Sequence, residues 1–377
     1  METITGKYTE AVVFADSIEP SASAQIQTVV DQPAFAGITI RIMPDVHAGA
    51  GCVIGFTCDI KNKICPQTVG VDIGCGMIVR PIGRARIDYA EFDQFVHENI
   101  PSGFSVHPNA TESMVMDTWI GEEVREIAGR IGGDAERYQK SVGTLGGGNH
   151  FIEIDVDTDG NRYLIVHSGS RKFGKDICNF HQKRAVERCE RDGIDVQNDL
   201  AYLRGGDMSQ YLCDMQVAQR YAEHNREAIV RILSRFLPCD NLFFHCTHNY
   251  ISERDWILRK GAISAHEGEH VLIPLNMRDG CILGVGKGNP EWNFSAPHGS
   301  GRILGRKQAK RELSLADFES AMEGIYSSCV KSSTLDESPM AYKSFGTEED
   351  MRAMLHDTVD VDAFLKPEYN FKATEEG

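Results

Sequence analysis

The sequence lacks any apolar stretch long enough to cross a bilayer. No window of the 377 residues holds about 18 consecutive apolar residues, and the first thirty show no signal-peptide pattern. We therefore expect a cytoplasmic protein with no membrane partner. The 11 cysteines are irregularly spaced. In a long chain without a secretory signal, this spacing favours free thiols over a disulfide framework.

Positive charge is scarce. The chain has 39 Lys and Arg against 55 Asp and Glu, with a formal net charge of −16, which argues against a surface covered in phosphate-binding groups. A local basic stripe remains possible, and a bound metal would add positive charge that the count omits. One such stripe comprises Arg302, Arg306, Lys307, Lys310 and Arg311. Its simplest interpretation is a solvated helix face.

Repeats, low-complexity tracts and Pro/Ser-rich linkers are also absent, so one domain spanning residues 1–377 is the simplest prediction. With 41% hydrophobic residues, the chain can bury a large core. Short β-rich runs alternate with helical stretches, which predicts a mixed α/β or α+β plan. The predicted strands are Ile38 to Met43, Thr68 to Ile73, Phe151 to Val156, Tyr163 to Val166, Asn241 to Phe244, Val271 to Leu275 and Cys281 to Val285.

Two helices stand out. Apolar residues recur at steps of mostly three or four from Met208 to Phe236, which is typical of a helix packed on a core. Ser314, followed three residues later by an aspartate, predicts the start of a second helix that runs through Tyr326. The polar final segment, residues 366–377, is expected to be frayed except at Phe371 and Lys372.

Four clusters contain residues that bind metals. Asp72 and Cys75 share a glycine-flanked Asp-x-x-Cys at a predicted strand end, while His150, His167 and His248 lie at the ends of other predicted strands. A buried cysteine or a strand-end histidine is usually structural, but the combination indicates a metal site. Zinc, iron, cobalt and manganese all suit this mixed set. A single cysteine argues against a closed zinc site, whereas two ions sharing a thiolate would use all five groups.

A fifth cluster places a histidine in a glycine turn. His298 lies between Pro297 and Gly299, and Arg302 and Arg306 follow at the start of a helical stretch. Guanidinium groups and exposed backbone N–H groups both bind anions, so the turn suits phosphate chemistry. Taken alone, the motif fits a functional histidine and a loop histidine without a role equally well.

The motifs occur in the order found in the RtcB family of RNA-splicing ligases, which the chain resembles from about Pro44 to Lys372. The matching segments are Met43-Pro44-Asp45-Val46-His47, Asp72-x-x-Cys75, Asn149-His150-x-x-Glu153, His167-Ser168-Gly169-Ser170-Arg171, His248-Asn249, Arg259-Lys260-Gly261-Ala262, His298-Gly299-Ser300-Gly301-Arg302 and Asp336-Glu337-Ser338-Pro339-x-Ala341-Tyr342-Lys343. The resemblance implies a single α+β domain, with mixed β-sheets surrounded by helices and a central metal cleft.

The resemblance also implies a chemistry. The family joins RNA ending in a 2′,3′-cyclic phosphate or 3′-phosphate to RNA with a 5′-hydroxyl, using GTP and two Mn²⁺ ions. By resemblance, Cys75 bridges the two ions, His167 and His248 complete one site, and Asp72 and His150 complete the other. His298 then attacks the α-phosphate of GTP and carries GMP to the RNA 3′-phosphate. The resemblance leaves open whether an accessory activator takes part.

Further residues are assigned to ligands by the same resemblance. Those expected at the nucleotide are Asn149, Glu153, Asn249, Asn276 and Lys372, and those expected at phosphate or RNA are Arg171, Arg302 and Arg306. Glu153 would accept hydrogen bonds from guanine. Two serines that the family commonly has near guanosine are Asn276 and Cys281 in this chain. These two differences leave open whether the chain selects the same base as the family.

Two other functions fit parts of the pattern. A binuclear metallophosphoesterase that opens RNA cyclic phosphates would use the metals without GTP, but it would not need the His298 motif. A non-catalytic RNA-end binding protein would have little reason to keep every ligand.

Overall fold

The computed structural model describes residues 1–109, 118–238, 242–344 and 346–372. Its strands form sheets of six, seven and two strands. In chain order the strands are β1 (Glu2–Thr5), β2 (Glu10–Val13), β3 (Ile40–His47), β4 (Ile54–Asp59), β5 (Gly76–Gly83), β6 (Phe151–Val156), β7 (Arg162–Ser168), β8 (Phe244–Thr247), β9 (Asn249–Ile251), β10 (Ile257–Lys260), β11 (Ala262–Ser264), β12 (His270–Asn276), β13 (Gly280–Gly286), β14 (Ser295–Pro297) and β15 (Val359–Lys372).

Helices pack against the two larger sheets. They are α1 (Pro20–Val30), α2 (Pro66–Val69), α3 (Tyr89–Asn99), α4 (Thr118–Ile131), α5 (Ala135–Lys140), α6 (Arg171–Arg191), α7 (Gly206–Leu233), α8 (Arg306–Glu312), α9 (Leu315–Ala321) and α10 (Glu348–Leu355). None of the helices in the described ranges combines the length and apolar composition that a membrane crossing requires.

The seven-stranded sheet, ordered β12-β13-β15-β6-β7-β5-β8, is antiparallel throughout. Both of its faces are buried: Met77 and Phe151 pack into one apolar cluster, while Ile78 and Ile152 pack into the other. Burial on both faces explains why these strands read as nearly continuous apolar runs. The six-stranded sheet, ordered β1-β2-β3-β4-β10-β9, contains one parallel pair, β2 with β3. The predicted mixed sheets with surrounding helices are confirmed.

Most predicted elements are present, and three differ. The segment Thr68 to Ile73 is not a strand, because Pro66 starts the short helix α2 and the chain turns at Gly70 with φ 98°. A short apolar run does not distinguish a strand from a buried helical turn. The strand predicted from Asn241 begins only at Phe244, and Asn241 lies outside the described residues.

The third difference concerns the end of the chain. Residues 366–372 are not frayed, because β15 pairs with β6 from Lys366 to Lys372; residues 373–377 lie outside the described ranges. The two predicted helices are confirmed with different limits: the first runs from Gly206 to Leu233, and the second is shorter than predicted. Ser314 Oγ accepts from the backbone N–H of Asp317, and that helix ends at Ala321. The ten described cysteines are free thiols, as predicted.

Candidate active site

Five predicted metal-binding side chains meet at the ends of four adjacent strands of the seven-stranded sheet. Cys75 directly precedes β5, His150 directly precedes β6, His167 is near the end of β7 and His248 directly follows β8. These four strands are neighbours in the order β6-β7-β5-β8, and this adjacency brings residues far apart in sequence together. Asp72 lies in the turn between α2 and β5.

The ligand atoms are in direct contact. Cys75 Sγ is 3.3 Å from Nε2 of both His150 and His167, and those three ligand atoms lie within 4.8 Å of one another. His167 Nε2 is 3.0 Å from His248 Nε2, and Asp72 Oδ2 is 3.0 Å from His150 Nε2. One or two ions bound among these atoms would be within reach of every group.

Backbone carbonyls orient two of the imidazoles. His150 Nδ1 donates to the Leu145 carbonyl at 2.8 Å, and His167 Nδ1 donates to the Asn149 carbonyl at 3.1 Å. A ring that donates from Nδ1 presents the Nε2 lone pair to the cluster unless it carries a second proton. The Nε2 lone pair of His150 then faces the Asp72 carboxylate, an arrangement that requires a positive charge, either a proton or a metal ion. The donor set therefore fits a metal.

Electrostatics supports neutral imidazole ligands. Burial, together with neighbouring histidines, lowers the pKa of His167 and His248 well below the ordinary value. Burial raises the pKa of the Cys75 thiol, and the Asp72 charge raises it further, so a metal ion would have to displace the thiol proton. Burial alone would raise the pKa of Asp72, but hydrogen bonding and charge from His150 lower it to about 2.

Helix α7 holds the loops that contain these ligands. Arg226 is fully buried, and its Nη1 donates to the carbonyls of Gly74 at 2.7 Å and Ser168 at 2.9 Å. Asn225 donates to the Gly169 carbonyl at 3.2 Å. The apolar pattern of this helix predicted only core packing, and it gave no sign that two buried polar side chains anchor the loops.

His298, which follows β14, lies beside the cluster. Its ring stacks on His248 with centroids 4.9 Å apart and an interplanar angle of 27°. Its Nδ1 donates to Asp45 Oδ2 at 2.6 Å, and its backbone N–H donates to the same oxygen at 3.1 Å. Nε2 is therefore the ring nitrogen left with a free lone pair. Sequence reasoning missed Asp45, although the Pro44-Asp45-Val46-His47 motif contained the signal.

A cleft of about 680 Å³ extends from this histidine. It is lined by predicted site residues, namely Asn149, Glu153, His167, His248, Asn249, Asn276, His298, Arg302, Arg306 and Lys372. Glu153 is nearly fully buried, and it accepts hydrogen bonds from Cys281 Sγ at 3.6 Å and from Asn370 Nδ2. The cleft thus combines the histidine, part of the metal cluster and the predicted base-reading carboxylate.

Cations gather on one wall of the cleft around Glu337. This carboxylate accepts from Arg306 at 2.6 Å, Lys372 at 3.1 Å and Arg302 at 3.3 Å. Burial alone would raise the pKa of Glu337, but the three cations lower it to about 2. Asp336 pairs with Arg306 as well. The basic stripe is therefore partly tied to carboxylates, and Glu337, in a family-like segment, had been assigned no role.

Three predicted ligand residues use their side chains within the protein. Asn249 donates to the Asp72 carbonyl at 3.3 Å and accepts from the Gly261 N–H at 3.0 Å. Asn276 donates to Asp279 at 2.7 Å and caps the turn that follows β12. Arg171 is not among the described residues that line the cleft, and its guanidinium donates to Thr144 Oγ1 and the Gly103 carbonyl. Their roles toward nucleotide or RNA stay predictions.

The chain is similar to the proteins of one known family. The family model described as tRNA-splicing ligase RtcB matches residues 25–373. A protein of Escherichia coli named RNA-splicing ligase RtcB is 30% identical over 374 residues, covering 86% of this chain and 88% of that protein. The tRNA-splicing ligase RtcB of Aeropyrum pernix is 25% identical over 428 residues, covering 88% and 89%.

Proposed function

The chain belongs to the tRNA-splicing ligase RtcB family, and on this premise we propose that it is an RNA ligase dependent on GTP and Mn²⁺. Its substrates are RNA ending in a 2′,3′-cyclic phosphate or 3′-phosphate and RNA ending in a 5′-hydroxyl. The observation that carries the proposal is His298, which Asp45 holds at Nδ1 while its ring stacks on His248 of the metal cluster. An imidazole fixed in this way has one free nitrogen and can act as a nucleophile.

The reaction needs an activated phosphate, because a 3′-phosphate has anionic oxygens and no good leaving group. His298 Nε2 forms a bond to the α-phosphorus of GTP, and pyrophosphate leaves. An oxygen of the RNA 3′-phosphate then attacks the same phosphorus and releases the imidazole. Finally the 5′-hydroxyl attacks the 3′-phosphate, loses its proton and displaces GMP. A cyclic phosphate enters this sequence after water has opened it to the 3′-phosphate.

The buried cluster is proposed to hold two Mn²⁺ ions, with Cys75 shared between them, His167 and His248 at one ion, and Asp72 and His150 at the other. When bound, the ions would neutralise phosphate charge and lower the pKa of a bound hydroxyl. Asp45 and His248 orient the nucleophile.

The cationic wall is proposed to bind phosphate groups. Arg302, Arg306 and Lys372 converge on the single carboxylate of Glu337, and Lys310 lies 3.4 Å from Asp336. Four cations next to two carboxylates leave two positive charges in excess, which favours a triphosphate or an RNA phosphate. Asn149, whose carbonyl accepts from Lys372 at 3.2 Å, and Glu153, which lies opposite Asn370 of β15, are proposed to contact the nucleotide beside this wall.

The test is incubation of the purified chain with Mn²⁺ and GTP labelled at the α-phosphate. We expect label on the protein, and we expect His298→Ala to remove it while folding and metal content remain. The variant should still join RNA that already carries a 3′-guanylyl cap, because the last step does not use the nucleophile. The exposed His270 provides a matched control, since His270→Ala should label normally.

The opposite results would remove the proposal. Opening of cyclic phosphates without labelled protein would favour the metallophosphoesterase, for which the His298 and Asp45 pair has no use. Normal labelling of His298→Ala would place the nucleophile elsewhere. Loss of both metals in that variant would make His298 a structural residue.

A further inference from the structure

A second buried acidic cluster lies behind the cleft. Glu153 and Asp155 are alternate residues of β6 and therefore point to the same face. Together with Cys281, their polar atoms lie within 4.8 Å of one another, and the three residues are 2%, 0% and 0% exposed. Glu153 lines the cleft, whereas Asp155 and Cys281 are not among its lining residues. Asp155 therefore supports Glu153 from the side away from the cleft.

The two carboxyl groups have different partners. Glu153 accepts hydrogen bonds from Cys281 and Asn370, and the cation of Lys372 lies nearby. In the described part of the chain, neither carboxyl oxygen of Asp155 accepts a hydrogen bond of normal geometry, and the neighbouring Cys281 thiol, which partly offsets the effect of burial on Asp155, is directed to Glu153 instead. Two carboxyl groups packed together away from water cannot both carry a charge. One proton must remain on the pair, and the group without donors is the one that keeps it.

The electrostatic directions agree with this assignment. Burial raises the pKa of Asp155 well above its ordinary value, and the neighbouring Glu153 raises it further. Burial also raises the pKa of Glu153, but hydrogen bonds from Asp155 and Asn370 and the charge of Lys372 oppose the rise. The larger upward shift in the pKa of Asp155 favours the proton there rather than on Glu153.

We propose that Asp155 is a proton-bearing positioning residue that donates its O–H to Glu153 and so keeps Glu153 an acceptor of N–H groups at the cleft. An ionised carboxylate only accepts, whereas a protonated one also donates. Guanine presents two adjacent donors at N1 and N2, which match an ionised carboxylate. Adenine presents an acceptor at N1 beside a donor at N6, which matches a protonated carboxyl group. The pair thus selects guanine, a specificity that rests on the proposed function.

The experiment measures equilibrium binding of GTP and ATP to the full chain carrying His298→Ala, with Mn²⁺ and without RNA, so that no covalent adduct forms. Asp155→Asn replaces the O–H donor by an N–H donor, so it should keep GTP affinity and the GTP-over-ATP ratio within about threefold. Asp155→Leu removes the donor at similar size. It should lower GTP affinity by about 10- to 100-fold, as expected for one hydrogen bond to a charged group, and reduce the ratio. Asp159, exposed in the following turn, provides control variants Asp159→Asn and Asp159→Leu.

The outcomes separate this inference from the function it rests on. If the His298→Ala protein with Asp155 intact binds GTP no better than ATP, guanine selection and the proposed nucleotide are both contradicted. If that protein is selective and its GTP-over-ATP ratio survives the addition of Asp155→Leu, only the role of Asp155 is contradicted. An Asp155→Asn variant as impaired as Asp155→Leu also contradicts that role, because an obligatory negative charge would then be the reason. Thermal unfolding of each variant identifies loss of fold, and the conservative Asn variant keeps the test decisive if Leu unfolds the protein.

Discussion

Asp45 is expected to control the first chemical step although it touches no substrate. It is fully buried on β3, and one of its oxygens accepts from both the backbone N–H and the Nδ1–H of His298. The second bond holds the tautomer in which Nε2 has a free lone pair. Asp45→Ala removes both bonds and lets the ring rotate and exchange tautomers. Asp45 is therefore a positioning residue.

The magnitude follows from the bond that is lost. A hydrogen bond to a charged group contributes about 1.5–3 kcal/mol, so loss of the Nδ1 bond should slow formation of the His298 adduct by about 10- to 150-fold. Asp45→Asn should fall between wild type and Asp45→Ala. The side-chain amide oxygen of the Asn variant can take the place of Oδ2 and accept both bonds, because the flipped amide would point its NH₂ group at the backbone N–H of His298. The NH₂ group then takes the place of Oδ1, which has no hydrogen-bond partner among the described residues.

The assay is the initial rate of protein labelling from α-labelled GTP at saturating Mn²⁺, with metal content measured in parallel. We expect the rate to fall with little change in the GTP concentration for half-maximal labelling. Asp93→Asn is the control, because Asp93 is also buried and accepts from Ser328 and Tyr369, and none of these three residues lines the cleft. Labelling of Asp45→Ala at the wild-type rate, or a defect explained wholly by lost metal, would refute the reasoning.

The remaining predictions concern the metal cluster and the cationic wall. Cys75→Ala should abolish ligation and lower bound metal at both sites by elemental analysis. Cys178→Ala should not, because this buried thiol contacts Pro66 and Gln67 and is not part of the cluster. Full metal content in Cys75→Ala would disprove the shared thiolate. Glu337 has its pKa lowered from 4.5 to about 2, so it stabilises the fold above pH 4.5 and loses about 3 kcal/mol of that stabilisation as pH falls through 2. In urea unfolding, the free energy of unfolding of Glu337→Gln should fall less steeply with acid than that of the wild type. The same pH dependence in both proteins would contradict this.

The five side chains that meet in the cluster could be selected from the sequence because they are rare residue types in short motifs, and their role as metal ligands stays a prediction. Asp72 and Cys75 could be identified without any knowledge of which strands are neighbours. Partners in space could not be identified in this way. Asp45 and His298 are 253 positions apart, and no spacing in the sequence indicates that the carboxylate holds the imidazole.

The predicted limits of strands were wrong where proline and glycine positions disagreed with the apolar pattern, or where pairing with a distant strand decided the structure. The run Thr68 to Ile73 alternates as a strand would, but the proline at 66 starts a helical turn and Gly70 adopts a positive φ. The tail was predicted to fray from its polarity, whereas its pairing with β6 decides its structure, and the part of β15 before the tail pairs with β13. Local composition carries no information about such distant pairing.

The position of β15 bears on how the protein is made. The strand inserts between β13 and β6, and about 200 residues of chain separate the end of β6 at Val156 from its start at Val359. At about 5–20 residues per second, the ribosome needs about 10–40 s to cover that distance, during which one edge of β6 waits without its partner. The histidines at 150, 167 and 248 emerge well before then, whereas Lys372 emerges after β15 has been made. The proposed metal ligands can therefore come together before the cleft is complete, and the unpaired edge of β6 is exposed to wrong strand pairing in the meantime.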